Sequence, residues 1–176
     1  MRHRDEKHWI FALLVGFSLA STPALSSCRP VAPPMGPRIH IDLPLVDAPG
    51  RRFSLQQARG KVTVLAFVAS WCVPCQMVLQ RMLRVQALYG KKIAMVAVAT
   101  DRQVRFSREF KRDLHLPFPL LVGNSETMHR AGLPSVPLVP LVYVLDKEGR
   151  IRYAHKGLVT TKVLAQEVGR ILDLGR

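Results

Sequence analysis

The sequence predicts an α/β domain built on a mixed β-sheet with flanking helices. Two runs of apolar, often β-branched residues, 61–69 and 93–100, lack polar alternation, which is typical of strands buried on both faces. A segment with helical spacing follows each run, and a β-α-β-α order requires parallel strands joined by right-handed crossovers. Two later apolar runs joined by residues 147–149 predict a hairpin, whose antiparallel strands make the sheet mixed.

A short extension precedes this core. Apolar residues alternate at Ile39, Ile41, Leu43 and Leu45, which predicts an edge strand. The Pro-Gly turn at 49–50 leads into a second short strand, so the two form a small antiparallel unit.

The helices follow from spacing and from capping residues. The helix after residue 75 continues to Tyr89, and Gly90 ends it. The closing segment predicts an amphipathic helix capped by Thr160 or Thr161. Between them the sequence predicts a solvated helix at 103–113, a short extended segment at 118–123 and a helical turn at 125–131.

The N-terminus has the pattern of an export signal. Basic residues precede the apolar stretch 9–20, which is short for a membrane span and suits the core of a signal peptide. The motif LSSC at 25–28 resembles the lipobox of bacterial lipoproteins, in which the cysteine receives lipid. Ordinary cleavage after Ala24 is the alternative and would leave Cys28 as a free thiol. We expect residues 1–27 to be the signal peptide and Cys28 to be lipidated.

Residues 28–38 contain four prolines and predict a stiff, extended tether, which leaves 39–176 as the folded domain. Without residues 1–28 the chain keeps 23 basic and 10 acidic side chains, a net charge of +13. Export argues against a nucleic-acid partner. The charge therefore favours anionic membrane lipids or acidic proteins, or else a basic surface with no dedicated partner.

Two cysteines, Cys72 and Cys75, directly follow the first buried run. A structural zinc site needs four ligands, but there is no second CxxC, and the later histidines are isolated: His115, His129 and His155. A disulfide that closes so small a loop adds little stability. At a helix start, however, unpaired amides would lower the pKa of Cys72, and Cys75 would be shielded one turn later. We predict a redox pair and no metal ligands.

The segment GKVTVLAFVASWCVPC, followed by MVAVATD and VPLVYVLDKEGRI, resembles the thioredoxin superfamily, specifically its exported, membrane-tethered TlpA/ResA-like branch. The similarity extends from Ile39 to the final helix, and WCVPC at 71–75 matches the family's WCxxC motif. The resemblance implies a thioredoxin-like fold and thiol–disulfide oxidoreductase activity, in which Cys72 attacks and Cys75 resolves.

A second motif of this family, VPxxFxxD, matches residues 139–146. On that match Pro140 is the cis-proline that lies beside the active-site disulfide in the family, and Pro137 is the competing candidate. In the family the cis-proline leaves the preceding backbone free to pair with an extended substrate. The resemblance therefore implies that the substrate-binding residues are Trp71, Val73, Pro74, Val139 and Pro140.

The chain departs from the family at the familiar proton acceptors. Thioredoxin has a buried carboxylate where this chain has Ala66, and many relatives in the branch have glutamate and proline where it has Val78 and Gln80. No acid at these positions can take the proton from Cys75. Fast turnover in the manner of thioredoxin is therefore not expected, unless water or the paired thiolate accepts the proton.

The leading hypothesis is an enzyme held on the periplasmic side of a bacterial membrane that reduces disulfides of exported proteins, because Pro74 resembles the reducing motifs. The branch suggests cytochrome c maturation as the process and a DsbD- or CcdA-type membrane electron donor, with no cofactor. A peroxiredoxin would need threonine in place of Ala69. Two alternatives stay open: an SCO-like copper chaperone, which uses CxxxC and a distant histidine, and a non-catalytic thioredoxin-fold lipoprotein.

Overall fold

The computed structural model describes residues 36–123, 126, 129 and 138–174. The strands in this part of the chain are β1 (Asp42–Pro44), β2 (Arg52–Ser54), β3 (Val62–Val68), β4 (Ile93–Ala99), β5 (Leu120–Val122), β6 (Leu141–Leu145) and β7 (Ile151–Lys156). The α-helices are α1 (Val73–Tyr89), α2 (Val104–Asp113) and α3 (Thr161–Leu174). Short 3-10 helices occur at Leu55–Ala58 and Gly90–Lys92.

The central sheet has five strands in the order β5-β4-β3-β6-β7. Strand β4 runs parallel to both β3 and β5, whereas β6 runs antiparallel to both β3 and β7. The α/β class, the mixed sheet and the hairpin predicted from the sequence are thus confirmed. Strands β1 and β2 pair with each other in a separate antiparallel sheet, which is the predicted N-terminal extension.

The core lies on both faces of the central sheet, which explains the unbroken apolar runs. All seven residues of β3 are buried. One face packs against side chains from all three α-helices, including Leu79, Phe110 and Leu164. The N-terminal extension covers the other face. The apolar alternation at 39–45 is therefore a burial pattern, although only Asp42–Pro44 pairs as a strand.

The helix ends agree with the capping residues of the sequence. Helix α1 ends at Gly90, whose φ of 57° lies in the left-handed region that favours glycine. The Thr160 hydroxyl accepts a hydrogen bond from the N–H of Val163 at 3.2 Å, so Thr160 rather than Thr161 caps α3. Of the helical turn expected at 125–131, the described residues are Glu126 and His129, and both are helical.

Several expectations concern residues outside the described part of the chain. They include the signal peptide, the lipidated Cys28, most of the tether and the alternative Pro137. Within the described ranges, no helix has the length and apolar character needed to cross a bilayer.

Candidate active site

Cys72 lies between β3 and α1 and is the N-cap residue of α1. Its sulfur accepts a hydrogen bond from the backbone N–H of Cys75 at 3.2 Å. Its own N–H donates to the carbonyl of Ala69 at 3.1 Å, which holds the turn against the end of β3. The sulfur therefore lies at the first amide groups of the helix, where unpaired N–H groups and the helix dipole favour negative charge. The sequence predicted this placement for the attacking thiolate.

Cys72 and Cys75 form a disulfide in which the two sulfurs are not equally reachable. Cys72 is 5% exposed, whereas Cys75 is fully buried within the apolar core. Of the two cysteines, only Cys72 has exposed surface that a partner molecule can approach. The direction of this asymmetry agrees with the sequence, but Cys72 is much less exposed than an ordinary surface thiol.

The cis-proline segment lies beside the disulfide. The Val139–Pro140 peptide bond is cis, as the motif match predicted. The carbonyl oxygen of Val139 lies 3.7 Å from the Cys72 sulfur. The carbonyl of Pro140 accepts a hydrogen bond from the N–H of Gly157 at 2.8 Å, whereas Val139 makes no backbone–backbone hydrogen bond within the described residues. The structure thus brings Cys72, Val139 and Pro140 together.

Large exposed apolar side chains adjoin these groups. Trp71 is 74% exposed and Val73 is 66% exposed, and Pro74 is also exposed. Leu138 directly precedes the cis Val139–Pro140 bond and is 58% exposed. Leu158 follows Gly157, whose N–H binds the Pro140 carbonyl, and is 52% exposed. We call Trp71, Val73, Leu138 and Leu158 the apolar rim. Exposed apolar groups that cluster in this way mark a binding surface for another molecule.

The two leucines of the apolar rim were not singled out from the sequence. Leu138 precedes a buried strand and Leu158 follows another, and an apolar residue at a strand end is usually assigned to the core. Only their exposure in the fold identifies Leu138 and Leu158 as surface residues.

The sequence analysis also missed a buried carboxylate, Asp101, that supports the cysteine turn. One of its oxygens, Oδ1, accepts hydrogen bonds from the Ser70 N–H at 3.0 Å and from the Ser70 hydroxyl at 2.9 Å. The other, Oδ2, accepts from the Ser107 hydroxyl at 2.7 Å. Asp101 thus connects the residue before Trp71 to α2. In the sequence, only the position of this aspartate just after β4 hinted at such a role. Its contact with Ser70 could not be predicted, because the two residues are 31 positions apart.

Apolar residues occupy the two positions at which related proteins have a proton-accepting carboxylate. Ala66 and Val78 are fully buried and belong to the same apolar cluster as Cys75. The environment of Cys75 is therefore apolar on the strand side and on the helix side. An apolar environment disfavours the thiolate form of a buried cysteine.

The described residues contain no group of three or more His, Cys, Asp or Glu side chains that could hold a metal ion. Nε2 of His155 is 2.8 Å from Oε2 of Glu167, in a pair that joins β7 to α3. Cys72 and Cys75 have CxxC spacing, whereas a copper chaperone of this kind uses CxxxC.

Comparison with known proteins gives a consistent result. The model of the AhpC/TSA family matches residues 38–154. The chain is 32% identical over 130 residues to the thioredoxin-like protein YneN of Bacillus subtilis, covering 72% of this chain and 75% of YneN. It is 26% identical over 131 residues to the thiol-disulfide oxidoreductase ResA of Geobacillus thermodenitrificans, covering 74% of each.

The fold also matches solved structures. A thiol:disulfide interchange protein of the thioredoxin family from Chlorobium tepidum superimposes with a TM-score of 0.68 at 22% identity. The match covers 79% of this chain and 97% of that protein. At this identity the likeness establishes a shared thioredoxin-like architecture.

Proposed function

Because the chain belongs to the AhpC/TSA family and is a thiol–disulfide oxidoreductase, we propose that it reduces disulfides of exported proteins while tethered to a bacterial membrane. The observation that carries the proposal is the asymmetric pair: Cys72 at the N-terminus of α1 is reachable, and Cys75 beneath it is buried. Such an arrangement presents one nucleophile to a partner and keeps the second for the intramolecular step.

The reaction proceeds through two exchanges. The Cys72 thiolate attacks one sulfur of the substrate disulfide, so that an intermolecular S–S bond forms and the other substrate sulfur leaves as a thiolate. The Cys75 thiol loses its proton to water, because no carboxylate stands at the positions of Ala66 and Val78. The resulting thiolate attacks the sulfur of Cys72 and releases the second substrate thiolate. Two electrons pass from the enzyme to the substrate, both substrate thiolates take protons from water, and Cys72 and Cys75 end as the disulfide seen in the structure.

Substrate binding is assigned to the groups around Cys72. The backbone of Val139, which is free of other backbone hydrogen bonds in the described residues, can pair with an extended peptide next to the reacting sulfur. Trp71, Val73 and Pro74 supply apolar contact on the other side. Contacts of this kind suit disulfides in unfolded or extended segments, in which apolar residues are accessible.

In the proposed reaction, electrons flow from a membrane donor through the enzyme to the substrate disulfide. Pro74 resembles the reducing CxxC motifs, so we assign a reductase whose disulfide is returned to the dithiol by a DsbD- or CcdA-type membrane donor. Cytochrome c maturation supplies a fitting process, because apocytochrome thiols must be reduced before haem is attached. A reductase would have a reduction potential nearer to about −270 mV than to about −120 mV.

The proposed domain organisation would put the enzyme on the outer side of the cytoplasmic membrane. We assign residues 1–27 to a signal peptide, Cys28 to lipidation, residues 28–38 to a tether and 39–176 to the catalytic domain. A proline-rich tether extends about 3 Å per residue, so that the domain could work within about 35 Å of the bilayer surface.

Trapping of the mixed disulfide tests the chemistry. In Cys75→Ala the resolving thiol is gone, and covalent adducts with exported proteins should accumulate on non-reducing gels. Cys72→Ala is the matched control and should give none. Absence of adducts from Cys75→Ala would count against dithiol exchange, and a potential near that of a strong oxidant would reverse the assigned direction.

The anchor is tested separately. Cys28→Ala should move the protein from the membrane fraction to the soluble exported fraction while dithiol exchange is retained. Intact-mass analysis should show a lipid-sized increase on a chain that begins at Cys28. An unmodified chain that begins at Leu25 would replace the lipoprotein assignment with ordinary cleavage.

A further inference from the structure

A cavity of about 260 Å³ lies at the C-terminal end of α2, away from the disulfide. Its lining is dominated by groups that can carry positive charge, and it contains a single acid: Asp47, Arg108, Lys111, Arg112, His115 and Leu116. We call it the basic cavity. Like charges gathered around one space repel each other, so their arrangement calls for an explanation.

The acid of the basic cavity is already neutralised. Lys111 donates a hydrogen bond to Oδ2 of Asp47 at 2.6 Å. This bond is the main reason that the pKa of Asp47 is lowered. Arg108, Arg112 and His115 therefore line the cavity without a further acid among the lining residues to pair with them.

Helix capping does not account for these side chains. Basic residues commonly bind the free carbonyls at the end of a helix and offset its dipole. Here three of the last four carbonyls of α2 already accept backbone hydrogen bonds of 3.0–3.2 Å: Phe110 from Leu114, Lys111 from Leu116 and Arg112 from His115. The guanidinium groups are not needed to cap these three carbonyls. Because the carbonyls are already hydrogen-bonded, the negative end of the helix dipole repels an anionic ligand less strongly.

His115 has an unfavourable backbone conformation at this place. Its φ is 49°, in the left-handed region, directly after the helix, where glycine is the usual residue. A histidine there gives up backbone stability, and such outliers occur preferentially where a side chain serves a function. His115 is one of the residues that line the basic cavity.

Arg108 is held in position for a ligand. Its Nε donates to the carbonyl of Val46 at 3.2 Å, which fixes the guanidinium plane, and its terminal nitrogens have no partner within the described residues. Among the described residues Arg112 pairs with Asp113 alone, and both side chains are mostly exposed, so that pair adds little stability. Both guanidinium groups therefore keep donors for an incoming acceptor.

We propose that the basic cavity binds a phosphate group. A phosphate carries up to two negative charges and several acceptor oxygens, which matches two guanidinium groups and an imidazole better than a single carboxylate does. The cavity is also large enough for a phosphate with part of the molecule that bears it. The group could belong to free phosphate or to a phospholipid headgroup, because the recognising chemistry is the same.

The position of the basic cavity leaves the redox site free. Helix α2 begins near Asp101, which contacts Ser70 beside the cysteine turn. Ten residues of helix rise about 15 Å, so His115 lies about one helix length from that turn. A bound phosphate would not compete with a disulfide substrate at Cys72, and the proposal does not depend on the direction of electron flow.

The test measures phosphate binding by titration calorimetry on the full exported chain at constant ionic strength. Wild type should bind inorganic phosphate saturably, and Arg108→Gln and Arg112→Gln should each weaken binding by about tenfold. Arg105→Gln removes the same charge from the same helix outside the cavity and should bind as wild type. All these variants should keep dithiol exchange.

His115→Gly provides a second, independent readout. It should weaken phosphate binding and at the same time raise the melting temperature, because glycine suits the left-handed conformation. A purely structural histidine would not couple these two changes. Unaltered binding in His115→Gly would remove His115 from the site.

Vesicles distinguish the source of the phosphate. The Cys28→Ala chain is mixed with phosphatidylglycerol vesicles and with phosphatidylcholine vesicles, so that no attached lipid masks the contact. Binding to the former that is lost in Arg108→Gln would assign a lipid headgroup, and binding of inorganic phosphate alone would assign a soluble ligand. Binding of neither by wild type, or an equal loss in Arg105→Gln, would overturn the proposal.

Discussion

The N-terminus of α1 and the C-terminus of α2 are built in opposite ways. At the first, the reacting sulfur of Cys72 is almost enclosed by apolar residues, and its polar neighbours are backbone groups. At the second, cationic residues line an open cavity, and three of the last four backbone carbonyls of the helix are already paired. The N-terminus of α1 thus contacts the Cys72 sulfur through backbone groups, whereas the C-terminus of α2 offers charged side chains to a ligand.

The difference follows from what each end has to bind. A thiolate is a small charge made by the protein itself, and a helix N-terminus can stabilise it without a counter-ion that would compete for the sulfur. An external anion has to be drawn from water, which needs full charges on exposed groups. The contrast predicts that substitutions at the two ends change different properties.

The largest effect is expected at the cysteines themselves. Cys72→Ser should reduce disulfide-reductase turnover to background, because no other thiol of the domain is reachable. In the reduced wild-type protein at mildly acidic pH, iodoacetamide should label Cys72 first, as peptide mass mapping would show. Equal labelling of Cys75 would contradict the burial difference on which the comparison depends.

Next in size is the apolar support of α1. Leu79 is fully buried one turn beyond Cys75, and Leu79→Ala should lower the free energy of unfolding by about 2–5 kcal/mol through the cavity it leaves. Arg112→Gln, which changes a mostly exposed side chain at the other helix end, should alter it by no more than about 0.5 kcal/mol. Urea denaturation of both variants measures the contrast, and similar losses would contradict it.

Substitution of Asp101 is expected to have an intermediate effect on stability. Its carboxylate links Ser70, in the turn before α1, to Ser107 in α2. Asp101→Asn replaces an acceptor of three hydrogen bonds and should cost about 1–3 kcal/mol. As a positioning residue, it should also alter the pH profile of Cys72 alkylation, since Ser70 would no longer be held. Ser107→Ala keeps the contact with Ser70 and should leave that profile unchanged. The same altered profile in both variants would assign the effect to α2 instead.

The smallest effect concerns the wall of the basic cavity. The pKa of Asp47 is lowered mainly by its hydrogen bond with Lys111, so the pair stabilises the fold above the ordinary aspartate range and loses this as pH falls through the folded-state pKa. Lys111→Gln should therefore be about 0.2–1 kcal/mol less stable than wild type near pH 7. The difference should shrink in high salt and as pH falls from the ordinary aspartate range through the lowered folded-state pKa of Asp47. A difference that persists in acid would assign it to packing.

Much of this molecule could be predicted because its signals are local. The buried strands β3 and β4 show as unbroken apolar runs, and the stop at Gly90 shows as a single residue type. The redox pair is also local, because its placement needs only a strand, a turn and a helix start within a few residues. The cis bond before Pro140 was predicted from the motif match, because the spacing of apolar residues does not indicate the isomer of a peptide bond.

Other features depend on contacts between distant parts of the chain, and the tertiary structure decided them. The contact of Cys72 with Val139 spans 67 residues, and that of Ser70 with Asp101 spans 31. Which side chains meet at such distances depends on strand register and on the packing of helices onto the sheet. Sequence alone determined which segments are strands and that a helix starts at the cysteine pair, because these features depend on neighbours along the chain. Exposure of the apolar rim and assembly of the basic cavity depend on neighbours in space, which only the packed fold defines.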